Sequence, residues 1–177
     1  MSDVEITRNY IPGCIGRVAE LHANYYHDHW RFGVFFEAKV ATELSKFLGR
    51  YEEKRDGFWT ARIKDRVEGS ITIDGINAQS QGAHLRWFII SSKLRGHGVG
   101  NTLMEKALDF CKKSNYYRVY LWTFDGLHAA RHLYEKFGFR LMEQHQGTQW
   151  GTTVNEQKFV LDLPENFIQP AVSHGRP

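Results

Sequence analysis

The chain has 177 residues, of which 42% are hydrophobic and 24% charged, enough for one folded domain with its own core and not the make-up of a disordered segment. A formal charge of +3 without any dense Lys/Arg run argues against a nucleic-acid partner, and no apolar stretch approaches the roughly twenty residues of a membrane span. Met1-Ser2-Asp3-Val4-Glu5 lacks the basic start and apolar stretch of a secretory signal, and Cys14 and Cys111 make no metal spacing, so the expectation is a cytoplasmic protein with reduced thiols.

In chain order, Val4 to Arg8 reads as a short strand. Pro12-Gly13 opens a helix that the apolar stripe Ile15, Val18, Ala19 and Leu21 carries to about Tyr26. Asp28 to Gly33, rich in His, Trp and Arg, reads as a link. A second helix, about Phe36 to Leu48, places Phe36, Val40, Leu44, Phe47 and Leu48 on one face, and Gly49 closes it. Strands follow at about Gly57–Lys64, Glu68–Ile73 and Ala83–Ile90, the first two joined by a hairpin turn at Asp65-Arg66, the last two by a polar loop ending at Gly82. After a glycine turn, Val99, Leu103, Ala107, Phe110 and Cys111 form a helical stripe. Arg118 to Phe124 is a strand. Asp125-Gly126 starts a helix with Leu127, Ala130, Leu133, Tyr134 and Phe137 on its inner side, and Gly138 ends it. Phe139–Gln144 and Val154–Leu163 are strands around the polar loop Gly147–Thr153. One domain over residues 1–164 is expected, with a tail over 165–177. The order β-α-α-β-β-β-α-β-α-β-β predicts an α/β fold, a mixed sheet with helices on its faces. The crossover through the helix after the glycine turn predicts that its two flanking strands are parallel neighbours.

The turn itself, Leu94-Arg95-Gly96-His97-Gly98-Val99-Gly100-Asn101, carries the most chemistry. Glycines let the backbone fold tightly and aim its N–H groups at phosphate oxygens, and the helix behind adds the positive end of its dipole. No lysine follows Gly98 or Gly100, which excludes a P-loop. A dinucleotide fingerprint starting at Gly96 needs a glycine where Asn101 stands, and the acidic residue expected about twenty positions on is absent around Tyr120. A phosphate-bearing cofactor of another kind is therefore expected, bound by Arg95 through Gly100.

Arg95-Gly96-His97-Gly98-Val99-Gly100 resembles motif A of the GNAT superfamily of acetyl-CoA-dependent N-acetyltransferases, Arg/Gln-x-x-Gly-x-Gly/Ala. Ala130-Arg131-His132-Leu133-Tyr134-Glu135-Lys136-Phe137-Gly138-Phe139 looks like that family's A-x-x-L-Y-x-K-x-G-F segment, one strand further on. The chain is also similar to the acetyltransferase half of bacterial proteins that fuse a MarR-type regulator to such a domain. The resemblance implies a mostly antiparallel sheet of six or seven strands with helices on both faces. It implies acetyl-CoA as co-substrate, a primary amine as acceptor (a protein lysine or N-terminus, or a small amine) and direct attack in a ternary complex; dimers are common in the family. It also implies that Phe88 and Ile90 offer main-chain hydrogen bonds to the pantetheine arm and that an N–H near Phe88 or Ile89 polarises the acetyl oxygen. Tyr134 corresponds to the family's general acid. The asparagine usual seven residues before that tyrosine is Leu127 here, with Asp125 or His128 as substitutes.

The general base is open. His84 stands where family members often have a glutamate, and an imidazole near pKa ~6.5 is a competent base at pH 7. Strand alternation puts His84, Arg86 and Phe88 on one face. Glu37, Glu68, Asp125 and a water chain are competitors. His29, Trp30 and Arg86 are the expected substrate-binding residues. His128 and His132 have zinc-compatible spacing but no evident third ligand, so no metal is expected. The rival reading is a sensor that binds acyl-CoA without turning it over, which needs the glycine turn but not Tyr134.

Overall fold

The computed structural model describes residues 4–164; the expected tail over 165–177 lies outside them. The elements are β1 (Val4–Arg8), α1 (Cys14–Trp30), α2 (Val34–Gly49), β2 (Gly57–Ile63), β3 (Arg66–Asp74), β4 (Ala83–Ile90), a 3-10 turn (Ser92–Leu94), α3 (Val99–Lys113), β5 (Arg118–Phe124), α4 (His128–Lys136), β6 (Arg140–Gly147) and β7 (Val154–Asp162). The seven strands form one sheet in the order β1-β2-β3-β4-β5-β7-β6. All neighbours are antiparallel except β4 and β5, the pair that the crossover through α3 was expected to make parallel.

Two apolar layers hold the sheet. On one face α3 buries Val99, Leu103, Met104, Ala107 and Cys111 against Ile71, Ile73, Leu85, Val119, Leu121 and Phe159. On the other, α1 and α2 bury Val18, Phe36, Val40, Leu44 and Phe47 against Phe58, Trp87 and Phe124. The stripes read from the sequence are these faces, because side chains four apart share one side of a helix. Edge strand β6 pairs with β7 alone and is exposed from Arg140 to Gln146.

Several boundaries shift by up to three residues, among them the start of α2 at Val34, the start of β3 at Arg66 and the end of β6 at Gly147, and one shifts further. Helix α1 runs four residues past Tyr26, to Trp30. The imidazole of His29 bonds back to the Tyr25 carbonyl at 2.8 Å, and Trp30 packs against Tyr26 and Phe124. Arg31, in the left-handed region at φ 60°, closes the helix. The polar look of His27-Asp28-His29 therefore marks a solvated face of the last turn, not a link.

Candidate active site

β4 and β5 pair only at Ala83–Val119 and His84–Tyr120 and then part, leaving a gap in the middle of the sheet. The parting coincides with a bulge in β4: Thr72 of β3 faces Arg86 but Ser70 faces Ile89, so Trp87 and Phe88 together stand opposite one residue. Trp87 takes φ 42°, a left-handed value costly for a bulky side chain, and Ser70 Oγ donates to its carbonyl at 2.7 Å. The extra residue inverts the alternation expected from the sequence. Arg86 faces α2, where it pairs with Glu43, and Trp87 packs on Phe47 on that same side. Phe88 and Ile90 instead join the α3 layer with Leu85. Arg86 and Phe88 thus do not share a face.

The glycine turn lies across the end of β4. Gly96 and Gly98 have φ 79° and 74° and an added Cβ would meet nothing at either position, so glycine is required there by backbone conformation rather than by crowding. Gly98 caps α3 without a side-chain hydrogen bond, and no acidic residue occupies the first turn. The first bond into the helix runs from the Thr102 N–H to the Gly98 carbonyl at 3.1 Å, and within the turn the His97 N–H donates to the Leu94 carbonyl at 3.4 Å, which leaves the amides of Gly96 and of Gly98 to Asn101 available to a ligand. An uncapped helix start with open, left-handed glycines before it fits a diphosphate.

These amides face a cleft of about 960 Å³ lined by Phe88, Ile89, Ile90, Arg95, Gly96, Gly98, Val99 and Gly100 on one side and by Tyr25, Tyr26, His29 and Trp30 of α1 on another, with α4 beyond. The Arg95 guanidinium sits 5.0 Å from the centroid of the Tyr25 ring. Of the turn residues expected at the cofactor, only His97 falls outside the lining, pointing to solvent. His29 and Trp30, expected at the acceptor, border this cleft instead, because α1 continues through them. Leu127 is 7% exposed and lines the cleft with His128. Asp125 bonds the N–H of Gly126 at 3.0 Å and is exposed, so His128 is the better placed of the two substitutes for the missing asparagine.

A second cavity, about 140 Å³, opens on the other side of the sheet gap, lined by His22, Lys39, Glu43, His84, Arg86, Trp122, Gln149 and Trp150 among others. Tyr26, Phe88, Leu127 and Tyr134 line both cavities. The two spaces therefore meet at these four side chains, two of them phenols.

The ionisable groups are strongly biased. Tyr134 is 6% exposed, and burial pushes its hydroxyl well above the usual phenol range. Tyr26 is raised likewise, by burial first and then by Tyr134. Both phenols stay protonated at neutral pH, and neither hydroxyl bonds another described residue. His84 stacks on Tyr120 at 4.4 Å; burial, then the charges of Arg86 and Lys158, push it down to about 3. It stays neutral at pH 7, but so acidic an imidazolium is a poor receiver of an ammonium proton, which weighs against the expected general base. For Glu43, burial would raise the carboxyl, but the Lys39 hydrogen bond and the Arg86 charge hold it below its ordinary value. Glu37 and Asp125 are exposed and line neither cavity. Glu68 is buried and engaged by Arg17 at 3.1 Å and Lys93 at 3.0 Å. Among the described residues no three His, Cys, Asp or Glu side chains gather as metal ligands.

Five residues of the site are absent from the expectations drawn from the sequence: Tyr26, Lys39, Glu43, Gln149 and Trp150. Tyr26 sits one turn past His22 and two past Val18 on the buried face of α1, a spacing visible once the helix is extended. Lys39 and Glu43 stand four apart on α2, a spacing that ordinary surface ion pairs share and that marks no site. Gln149 and Trp150 come from the β6–β7 connection, where the buried carboxylate of Glu156 accepts the Gln149 N–H at 2.9 Å and its Nε2 at 2.7 Å; Trp150 rests on Phe124.

A mixed α/β sheet parted over a glycine-lined helix start, with a second pocket on the far side of the gap, is an arrangement suited to a phosphate-bearing ligand on one side and a second molecule or side chain on the other. The acetyltransferase (GNAT) family matches residues 18–139, and the chain belongs to it. N-acetylaspartate synthetase from Xenopus tropicalis is 28% identical over 145 residues, 79% of this chain and 53% of that protein. N-acetyltransferase 8 of Homo sapiens is 23% identical over 140 residues, 76% of this chain and 62% of that protein. The chain thus spans between half and two thirds of these relatives. Among solved structures, an acetyltransferase from Streptococcus agalactiae 2603 superposes with TM-score 0.71 at 20% identity, over 92% of this chain and all of that one. A GNAT-family acetyltransferase from Staphylococcus aureus Mu50 gives 0.73 at 17%, again over 92% of this chain and all of that one. These two likenesses concern the fold. Among the described residues no helix is long and apolar enough to cross a membrane.

Proposed function

We propose that this chain transfers an acetyl group from acetyl-coenzyme A to a primary amine, with both substrates held together. The observation that carries the reading is the junction: the cleft under the glycine turn and the small cavity meet at Tyr26, Phe88, Leu127 and Tyr134. In this scheme the amides of the turn and of the first turn of α3 hold the diphosphate, with Arg95 adding a cation at the cleft mouth. The pantetheine arm follows Phe88, Ile89 and Ile90 toward the gap. The neutral amine enters through the small cavity and its nitrogen bonds to the thioester carbon as the carbon–sulfur bond breaks; Tyr134 gives its proton to the departing thiolate, and the proton shed by the nitrogen on forming the amide returns by way of water to the phenol. The relatives named as N-acetyltransferases support an amine as acceptor. The chemistry suits the cytoplasm, and Cys14 and Cys111, both buried free thiols, are in keeping with that setting. The rival, suggested by the likeness to regulator-fused domains, is an acyl-CoA sensor; a sensor needs the cleft but no second cavity opening on the same tyrosine.

Tyr134→Phe separates the two. On the transfer reading it lowers kcat on the order of 100-fold or more while coenzyme A affinity, measured by calorimetry, changes little. Unchanged turnover removes Tyr134 from the chemistry. Cofactor binding with no turnover of any amine by the unaltered protein favours the sensor.

A further inference from the structure

The charges of the small cavity are unbalanced. Among the described residues lining it, Glu43 is the only carboxylate, against the cations Lys39 and Arg86. Both cations converge on that single group: Lys39 Nζ donates to Glu43 Oε1 and Arg86 Nη2 to Oε2. Asp74, the next acid, is outside the lining; it stands 3.9 Å from Arg86 Nη1 and is taken by Arg50 at 2.5 Å. Lys158 adds a further cation nearby, over the rings of Tyr120 and Trp122 at 5.1 and 5.7 Å. His84 contributes no charge at neutral pH. A guanidinium has five donors and an ammonium three, and one of each is used by Glu43. The remainder suit a planar anion.

Position supports the same reading. Lys39, Glu43 and Arg86 line the small cavity but not the cleft, whereas Tyr134 and Phe88 line both. The charged wall is thus set back from the junction. A ligand reaching from one to the other presents an anion at Arg86 and an amine at Tyr134. A polyamine or an unaccompanied lysine side chain would bring a second positive charge to a wall already in excess of positive charge, in a partly buried space where like charges repel more strongly than in water.

We propose that the acceptor is a small amine that itself carries a carboxylate, seated with that carboxylate against Lys39 and Arg86 and its nitrogen toward Tyr134. This rests on the small cavity being the acceptor pocket of an acetyltransferase. The test is the initial rate of coenzyme A thiol release with the common amino acids, each paired with the amine left when its α-carboxylate is removed. The expected result is a kcat/KM at least tenfold higher for one or more amino acids than for the decarboxylated partner. Arg86→Gln should shrink that ratio at least tenfold. Glu43→Gln, which frees donors on both cations, should enlarge it, a change of opposite sign that damage to the fold does not produce. Equal or better turnover of every decarboxylated partner, or turnover confined to polyamines or peptides lacking a nearby carboxylate, overturns the inference and leaves acetyl transfer standing. No turnover of any amine while coenzyme A binds overturns acetyl transfer, and the inference with it.

Discussion

Tyr134 is set among Phe88, Phe139 and Phe159, with ring centroids 6.0 to 6.3 Å away, and those rings account for both its position and its proton. Apolar surroundings disfavour the phenolate, so the hydroxyl remains a donor across the working pH range. The same surroundings raise the basicity of a thiolate leaving into the gap, so what matters is the difference between the two groups, which shared burial preserves better than either value alone. The amine side has no comparable group. His84 at about 3 is neutral throughout pH 5 to 9 and changes charge only far below that range, so it puts no inflection near 6.5 into the rate. With no side-chain base, kcat/KM should climb about tenfold per pH unit up to the pKa of the acceptor itself, and profiles for two acceptors of different basicity should be displaced by that difference. An inflection at one fixed pH near 6.5 for both acceptors would restore a histidine base. That Tyr134 and the glycines line the cleft was legible because they stand in short, recognisable motifs. The depressed basicity of His84 was not, since it depends on Arg86 and Lys158 brought from elsewhere in the sheet.

Among the elements, β4 and the β6–β7 connection do most to shape the site. The limits of β4 were readable from its run of β-branched and aromatic residues, but the bulge at Trp87 was not, because Ala83 to Ile90 has no glycine or proline to mark it. That one extra residue puts Phe88 on the far face from Arg86 and accompanies the opening between β4 and β5. The β6–β7 connection looked like a plain polar loop, and its role depends on a carboxylate seven residues beyond Gln149 that is 4% exposed. Gly147 is there for room: an added Cβ would stand 2.3 Å from the Glu156 carboxylate, which its bonds to Gln149 keep from swinging aside. Gly147→Ala should therefore displace the loop, lower stability by about 1–3 kcal/mol in chemical denaturation, and raise the KM for the acceptor several-fold with coenzyme A affinity unchanged. An unaltered acceptor KM would remove this loop from the pocket.

At the level of the whole molecule, the proposed function divides two tasks across the sheet. In that scheme the α3 layer and the turn before it present main-chain amides to coenzyme A, the α1–α2 layer and the β6–β7 loop present side chains to the acceptor, and the gap between β4 and β5 is where the two meet. Element order and the parallel β4–β5 pair followed from periodicity and the crossover rule, since these depend on local pattern and chain handedness. The lining of the small cavity was largely hidden, because its residues come from α1, α2, β4 and the β6–β7 loop and share no spacing. The account depends above all on main-chain amides of residues 95–101 holding a diphosphate. Titration calorimetry of the unaltered protein with coenzyme A and with pantetheine, which lacks that group, tests it most directly. Coenzyme A should bind with one-to-one stoichiometry at least 100-fold more tightly than pantetheine; equal affinities, or no heat with coenzyme A at all, would contradict it.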